Sequence, residues 1–254
     1  MMIYPNCDLH IHSISSGHAF NTVDEIIKFS EKHEYSMIGI SDHGPDMERA
    51  PHIGYFEMLY RLPHRVGNMN VLYGCESNII DTNGNIDIPD RLISEMDYII
   101  AGLHKRTCYT GNSIEDNTKA IVSVIRSRKA DIISHPISLG FLADPEIIVR
   151  AALEEQIILE CNKSVLKEAV IHQKKEVIHL TTELLNIAFE MEVPVLLGSD
   201  AHHVSEMAIS DEELSIIKDI YGISLSRLLN ENVTELEHFL LRRKKQRSIM
   251  YHEE

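Results

Sequence analysis

The stretch Met37-Ile38-Gly39-Ile40-Ser41-Asp42-His43-Gly44 opens on four residues with no polar side chain and closes on a polar run. A strand with one wet face alternates, so an unbroken apolar run of this kind reads as a parallel strand covered on both sides. Tyr98-Ile99-Ile100-Ala101 has the same character. Working outward, strands are expected over residues 3–9, 37–41, 71–77, 97–102, 131–134, 157–161 and 194–199. Between most of them lie amphipathic helical patterns, over 22–33, 54–64, 113–128, 145–155 and 174–192, and from about Asp211 onward. Thr22 and Glu25 form a capping box ahead of Ile26, Ile27 and Phe29, and Asn83-Gly84-Asn85 marks a hairpin within 79–90. Seven strand–helix units without a Pro/Gly-rich linker predict one α/β domain over residues 1–254, closed or nearly closed as a barrel.

Composition narrows the partners. Hydrophobic residues make up 44% of the 254 and charged residues 25%, a balance that excludes disorder. No apolar run approaches the roughly 18 residues of a membrane span, and the N-terminus lacks the basic start and apolar core of a signal peptide. A cytoplasmic protein is expected, with Cys7, Cys75, Cys108 and Cys161 reduced, because no two of them have metal-binding or redox-motif spacing. A net charge of −15 repels a nucleic-acid backbone, so nucleic acid and membranes are not expected partners. The 15 histidines are the excess that needs a chemical reason.

Placed on the expected strands, they cluster. His10 and His12 follow the first strand, with His18 in the loop beyond, and His43 follows the second. Glu76 ends the third, His104 and His135 follow the fourth and fifth, and Asp200 and His202 follow the seventh. In a parallel barrel all these points fall on the C-terminal mouth, where such folds assemble active sites. Alternation sends both imidazoles of His10-Ile11-His12 to one side, able to grip one ion. Imidazole and carboxylate suit zinc, with manganese or iron as alternatives. Nine ligands divide among three divalent ions if a carboxylate such as Glu76 bridges two. Against Glu76, Asp200 and one hydroxide, three such ions leave a local charge of about +3 that attracts phosphate.

In order and spacing these nine residues match the trinuclear metal signature of PHP-domain (polymerase and histidinol phosphatase) proteins. The chain resembles most the stand-alone bacterial PHP phosphatases of the YcdX-like group. The stretch from Ser41-Asp42-His43-Gly44-Pro45 to Ala50-Pro51-His52 carries the likeness, with Ile100-Ala101-Gly102-Leu103-His104 and Ile132-Ile133-Ser134-His135-Pro136, and the likeness runs from about residue 3 to 240. The resemblance implies a distorted (β/α)7 barrel of TIM-like type and a metal-dependent phosphoesterase. It also implies a division of ligands: His10, His12, Glu76 and Asp200 for the first ion, Glu76 with His104 and His135 for the second, and His18, His43 and His202 for the third. Lys105-Arg106 departs from the family pattern.

The expected reaction is hydrolysis of a small molecule's phosphate monoester, with a hydroxide bridging two ions as nucleophile and the ions offsetting transition-state charge. Glu76 is catalytic as the bridging carboxylate, and Asp200 is a candidate to orient the nucleophile beside its ligand role. Arg49, Lys105 and Arg106, on mouth loops beside ligands, are the candidate substrate-phosphate contacts. Glu160 and Asn162 end the one strand without a ligand; they and Asp42 and Ser199 are candidates to orient imidazoles or to cap a helix. His52 and His203 are near enough in sequence to reach the mouth, whereas Arg242-Arg243-Lys244-Lys245-Gln246-Arg247 reads as a solvated helix end. A nuclease or phosphodiesterase acting on nucleic-acid ends is the first alternative, opposed by the charge and by an aromatic content of 6% with no Trp. An amidohydrolase would need a bridging strand-end lysine where this chain has Glu76, and a non-catalytic metal module would not need all nine ligands. Histidinol phosphate, nucleotides, sugar phosphates and phosphotyrosine peptides present the same phosphate. Selection among them falls to loops 13–21, 46–54, 105–113 and 137–144.

Overall fold

The computed structural model describes residues 2–251. In chain order the first half contains β1 (Met2–Ile3), β2 (Cys7–Ile11), α1 (Val23–Lys32), β3 (Met37–Ile40), α2 (Ile53–Phe56), β4 (Arg65–Val66), β5 (Met69–Asn78), α3 (Asp90–Glu95), β6 (Tyr98–Gly102) and α4 (Ile114–Ser127). The second half contains β7 (Ile132–Ile133), α5 (Pro145–Glu155), β8 (Ile158–Asn162), α6 (Lys163–Ile171), α7 (Lys175–Glu190), β9 (Val195–Gly198), β10 (Ile209–Ser210), α8 (Asp211–Ser215) and α9 (Val233–Tyr251).

Seven strands pair in parallel in the order β2-β3-β5-β6-β7-β8-β9. The ring nearly closes through a parallel bridge between Ile11 and Ala201, where the His12 amide donates to the Ala201 carbonyl at 2.9 Å. This is the TIM-like α/β barrel that the apolar runs predict. Two layers of core hold it. Ile38, Val71, Ile99, Ile133 and Leu159 face outward into the helices, while Leu9, Met37, Tyr98, Ile100, Ile132, Ile158 and Leu196 fill the lumen. Gly39 lacks a side chain because a Cβ there would strike the Tyr98 ring, which crosses the lumen to donate to the Leu9 carbonyl at 2.7 Å. Leu236, Phe239 and Leu240 of α9 plug the lumen at its N-terminal end, leaving only the other end open to chemistry.

Several elements differ from their sequence reading. The first barrel strand starts at Cys7 rather than residue 3, and Met2–Ile3 pairs instead with β10 in an antiparallel ribbon. Pro5 between the two has no N–H for a ladder. Residues 54–64 are not one helix but α2 and a 3-10 turn at Leu59–Arg61, since the window between Gly54 and Pro63 is too short for cooperative growth. The C-terminal stretch breaks after α8 into a π-turn, Ile216–Ile220, and irregular chain with Gly222 at φ +70°, before Asn232 caps α9 by accepting from the Glu235 amide. Helices α3 and α6 lie outside the expected set. The basic run is a solvated end only in part: Arg242 and Lys245 are exposed, whereas Arg243 (3% exposed) and Arg247 (1%) turn inward to pair with buried Asp131, at 3.2 Å for Arg243. Among the described residues no helix is long and apolar enough to cross a membrane.

Candidate metal centre

The centre begins with an irregularity in β2. Asp8 pairs with Ile38 and Ile11 with Ile40, three residues against two, so β2 carries a β-bulge. Cys7 and Leu9 point into the lumen, and Ile11 packs in the outer core. The bulge reverses the parity, so His10 and His12 also turn inward, above Leu9. Glu76, fully buried on β5, faces them, with Cys75 sent outward into the helix layer as alternation requires. His43 follows β3 and is bridged to Glu76, where the Gly44 amide donates to the Glu76 carbonyl at 2.8 Å. His104, His135, Asp200 and His202 follow β6, β7 and β9. His135 and Asp200 hold left-handed backbones, φ +27° and +55°, a strain that persists where surrounding structure enforces it.

Both oxygens of Glu76 are surrounded. Oε1 lies 3.2 Å from His10 Nε2, 3.1 Å from His104 Nε2 and 2.9 Å from His135 Nε2. Oε2 lies 3.4 Å from His12 Nε2 and 2.9 Å from His43 Nδ1. Asp200 Oδ1 lies 3.5 Å from His10 Nε2 and 3.2 Å from His12 Nε2, and those two nitrogens are 3.1 Å apart. Ligands about 2.1 Å from one tetrahedral zinc stand about 3.4 Å from each other, so His10, His12, Glu76 and Asp200 have the spacing of a single ion's shell. Two further sets, His43 with Glu76 and His104, and His12 with His43 and His202, place one ligand atom each within 4.8 Å of the others. His43 Nδ1 and Glu76 Oε2 are buried without a hydrogen-bond partner despite their proximity, an arrangement that a shared cation satisfies and a hydrogen bond does not.

The electrostatics agree. Burial alone would lower His10, but Glu160, Glu76 and Asp200 outweigh it and raise His10 well above the ordinary imidazole value. Burial pushes His12 down to about 4 and His43 down to about 3, which keeps them neutral and able to coordinate. Although burial opposes ionisation of Glu76, His10, His104 and His43 hold it well below the usual carboxylate range. Asp200 is likewise held low, by His10 and His12 against its burial. Around this set, His10 Nδ1 donates to Glu160 Oε1 at 2.6 Å, and Glu160 Oε2 accepts from the His135 amide at 2.8 Å. Gly198 makes room for this carboxylate, since a Cβ there would strike it. Asn162 takes the expected capping role, its Oδ1 accepting from the Val165 amide at the start of α6, while its Nδ2 donates to the Glu160 and Asp200 carboxylates rather than to an imidazole.

The structure thus gathers eight of the nine expected ligands tightly. His18 stands at the exposed rim, its ring 5.0 Å from that of His43 and 4.7 Å from that of His202. Arg49 (76% exposed) and Arg106 (79%) flank the Glu48 carboxylate at 3.8 and 3.6 Å, and exposed Lys105 packs near Gly140. His52 and His203 do not enter the mouth, because each caps a short helical turn. His252 lies outside the described residues. Ser199 accepts from the Ala201 amide and donates to the His10 carbonyl, steadying backbone rather than a ring. Two participants escaped the sequence reading. Ser16 Oγ stands 3.1 Å from His12 Nδ1, and Tyr55 Oη donates to Asp42. The only signal for Ser16 was the presence of three serines, Ser13, Ser15 and Ser16, between His12 and His18.

A family model described as PHP domain matches residues 8–184. The chain belongs to the PHP family. Two relatives are named "probable phosphatase": one from Clostridium novyi, 36% identical over 195 residues (77% of this chain, 78% of the relative), and one from Caldanaerobacter subterraneus subsp. tengcongensis, 33% identical over 238 residues (94% and 92%). Among solved structures, a histidinol phosphate phosphatase from Lactococcus lactis, complexed with zinc, L-histidinol and phosphate, is similar with a TM-score of 0.55. It is 16% identical, with 84% of this chain and 93% of that chain covered, a likeness of fold. This chain is therefore a phosphatase of the PHP family, with a cluster of side chains suited to divalent metal ions.

Proposed function

We propose that this PHP phosphatase hydrolyses the phosphate monoester of a small molecule at a centre of three divalent ions, zinc by ligand type. The observation that carries the reading is Glu76, whose two oxygens meet five imidazoles and so join neighbouring ion sites. His10, His12, Glu76 and Asp200 would hold the first ion, Glu76, His104 and His135 the second, and His18, His43 and His202 the third. Ions so held supply Lewis acidity to phosphoryl oxygens and a water that ionises near neutral pH. Asp200, partly exposed at its carboxylate, is the group placed to orient that water, with Asn162 steadying its other oxygen. Arg49, Lys105 and Arg106, exposed on the rim, would meet an incoming phosphate, the two arginines by leaving the Glu48 carboxylate.

Residues 1–254 act as one PHP domain in this reading, since Asp200, His202 and the α9 plug lie beyond the matched span yet complete the barrel and its mouth. Lys163, one residue past β8, speaks against amidohydrolase chemistry. Its Nζ is spent on the Ala208 carbonyl at 2.6 Å and on Glu213 at 3.3 Å, away from the ligands. The net charge of −15 disfavours a nucleic-acid substrate.

The test is phosphate release from histidinol phosphate, nucleotides, sugar phosphates and p-nitrophenyl phosphate, with added zinc or manganese and after chelation, beside His104→Ala. Release that requires metal and vanishes in the variant is expected. Silence across the panel, with metal bound, overturns the monoester reading and turns attention to oligonucleotide ends.

A further inference from the structure

We infer that Ser16 is a positioning residue: its hydroxyl, held by Asp42, sets which nitrogen of His12 carries the proton and so presents the Nε2 lone pair to a metal ion. The inference rests on the metal-centre reading above and follows from donor and acceptor accounting at one fully buried atom.

Asp42 is buried and receives the Ser13 amide at 2.7 Å, the Ser13 hydroxyl at 2.8 Å and the Tyr55 hydroxyl at 2.5 Å. A carboxylate so surrounded by donors can only accept. Ser16 Oγ, 2.7 Å from Asp42 Oδ1, must therefore donate its single proton there. Its lone pairs remain for the two other neighbours. One takes the His43 amide at 3.2 Å, and the other faces His12 Nδ1 at 3.1 Å. With no proton left to offer, Ser16 accepts from His12, which places the imidazole proton on Nδ1 and leaves Nε2 free.

The opposite tautomer has an inducement. His12 Nε2 stands 3.2 Å from Asp200 and 3.4 Å from Glu76, two carboxylates that would welcome an N–H. Without Ser16 the proton moves to Nε2, where it opposes a metal ion. The same hydroxyl ties the loop after β2 to the backbone of His43, so a single oxygen sets the relation between two ligands from different strands.

The experiment compares the full-length wild type with Ser16→Ala, Asp42→Ala and Ser30→Ala. Ser30 is an equally buried serine that donates to the Ile26 carbonyl inside α1, away from the mouth. Long-range proton–nitrogen correlation spectra, recorded on metal-stripped protein labelled at histidine, read the His12 tautomer, and titration with zinc against a competing chelator reads affinity. The wild type and Ser30→Ala should show His12 protonated at Nδ1. Ser16→Ala and Asp42→Ala, the latter freeing the Ser16 proton to turn toward His12 Nδ1, should show protonation at Nε2 and bind zinc about 10–100-fold more weakly. Ser16→Ala with the wild-type tautomer, or with wild-type zinc affinity, overturns the inference. If the wild type takes up neither zinc nor manganese, the metal-centre reading fails, while the His12 spectrum still decides the role of Ser16.

Discussion

Glu160 supplies no expected ligand, yet it orients two of them, His10 through Nδ1 and His135 through its amide. Replacing Glu160 by Ala should weaken zinc binding about 10–100-fold, the usual effect of removing a partner that orients a metal-binding imidazole, as chelator competition would measure. His10 also sets a pH dependence. Its folded value is raised, so the metal-free chain holds a proton there at neutral pH that a bound ion must displace. His12 and His43, pushed down to about 4 and about 3, have none to lose. Zinc affinity should therefore fall as the pH is lowered, by up to about tenfold per unit below the raised His10 value, with proton release on binding. A titration repeated in buffers of different ionisation heat checks both; flat affinity would contradict the raised His10 value. Residue types and spacings were legible at this scale because ligand chemistry belongs to individual side chains. Ser16 was not, because its partner Asp42 is 26 residues away and only the folded chain brings them together.

Elements with local signals formed where the chain predicts them. The Thr22–Glu25 capping box is present in both directions at the start of α1, and Ser113 and Asp144 cap α4 and α5. Thr22→Ala should lower stability by about 1 kcal/mol with zinc affinity unchanged, read from urea unfolding and metal titration. A change in affinity would tie α1 to the mouth in a way its contacts do not. The β2 bulge is the counter-example. Alternation correctly places His10 and His12 together, but alternation carried up from Leu9 would turn both out of the lumen. The bulge corrects this, and it depends on pairing with β3 rather than on β2's own sequence.

For the molecule as a whole, α9 closes the bottom of the barrel, and Asp131 receives both Arg243 and Arg247 there. Arg247 Nε also donates to the Ile93 carbonyl at 2.9 Å, so the pairing ties α9 to α3. Arg247→Ala removes one of the two partners of Asp131 and the bond to the Ile93 carbonyl, and should cost about 1.5–3 kcal/mol, the range for a hydrogen bond to a charged group, read as a shifted denaturation midpoint. Zinc affinity of the folded variant should stay at the wild-type level, because the lock and the ligands sit at opposite ends of the barrel. An unchanged midpoint would show the latch to be dispensable.

The barrel class, the ligand types and their place at strand ends could be read from the linear chain, since apolar runs, caps and His/Asp/Glu spacing are properties of near neighbours. The parity of β2, the hydroxyl behind His12, the work of Glu160 and the burial of Arg243 and Arg247 were decided only on folding. Each depends on a partner brought close by the closed ring rather than by the chain, as with Arg247 and Asp131, 116 residues apart.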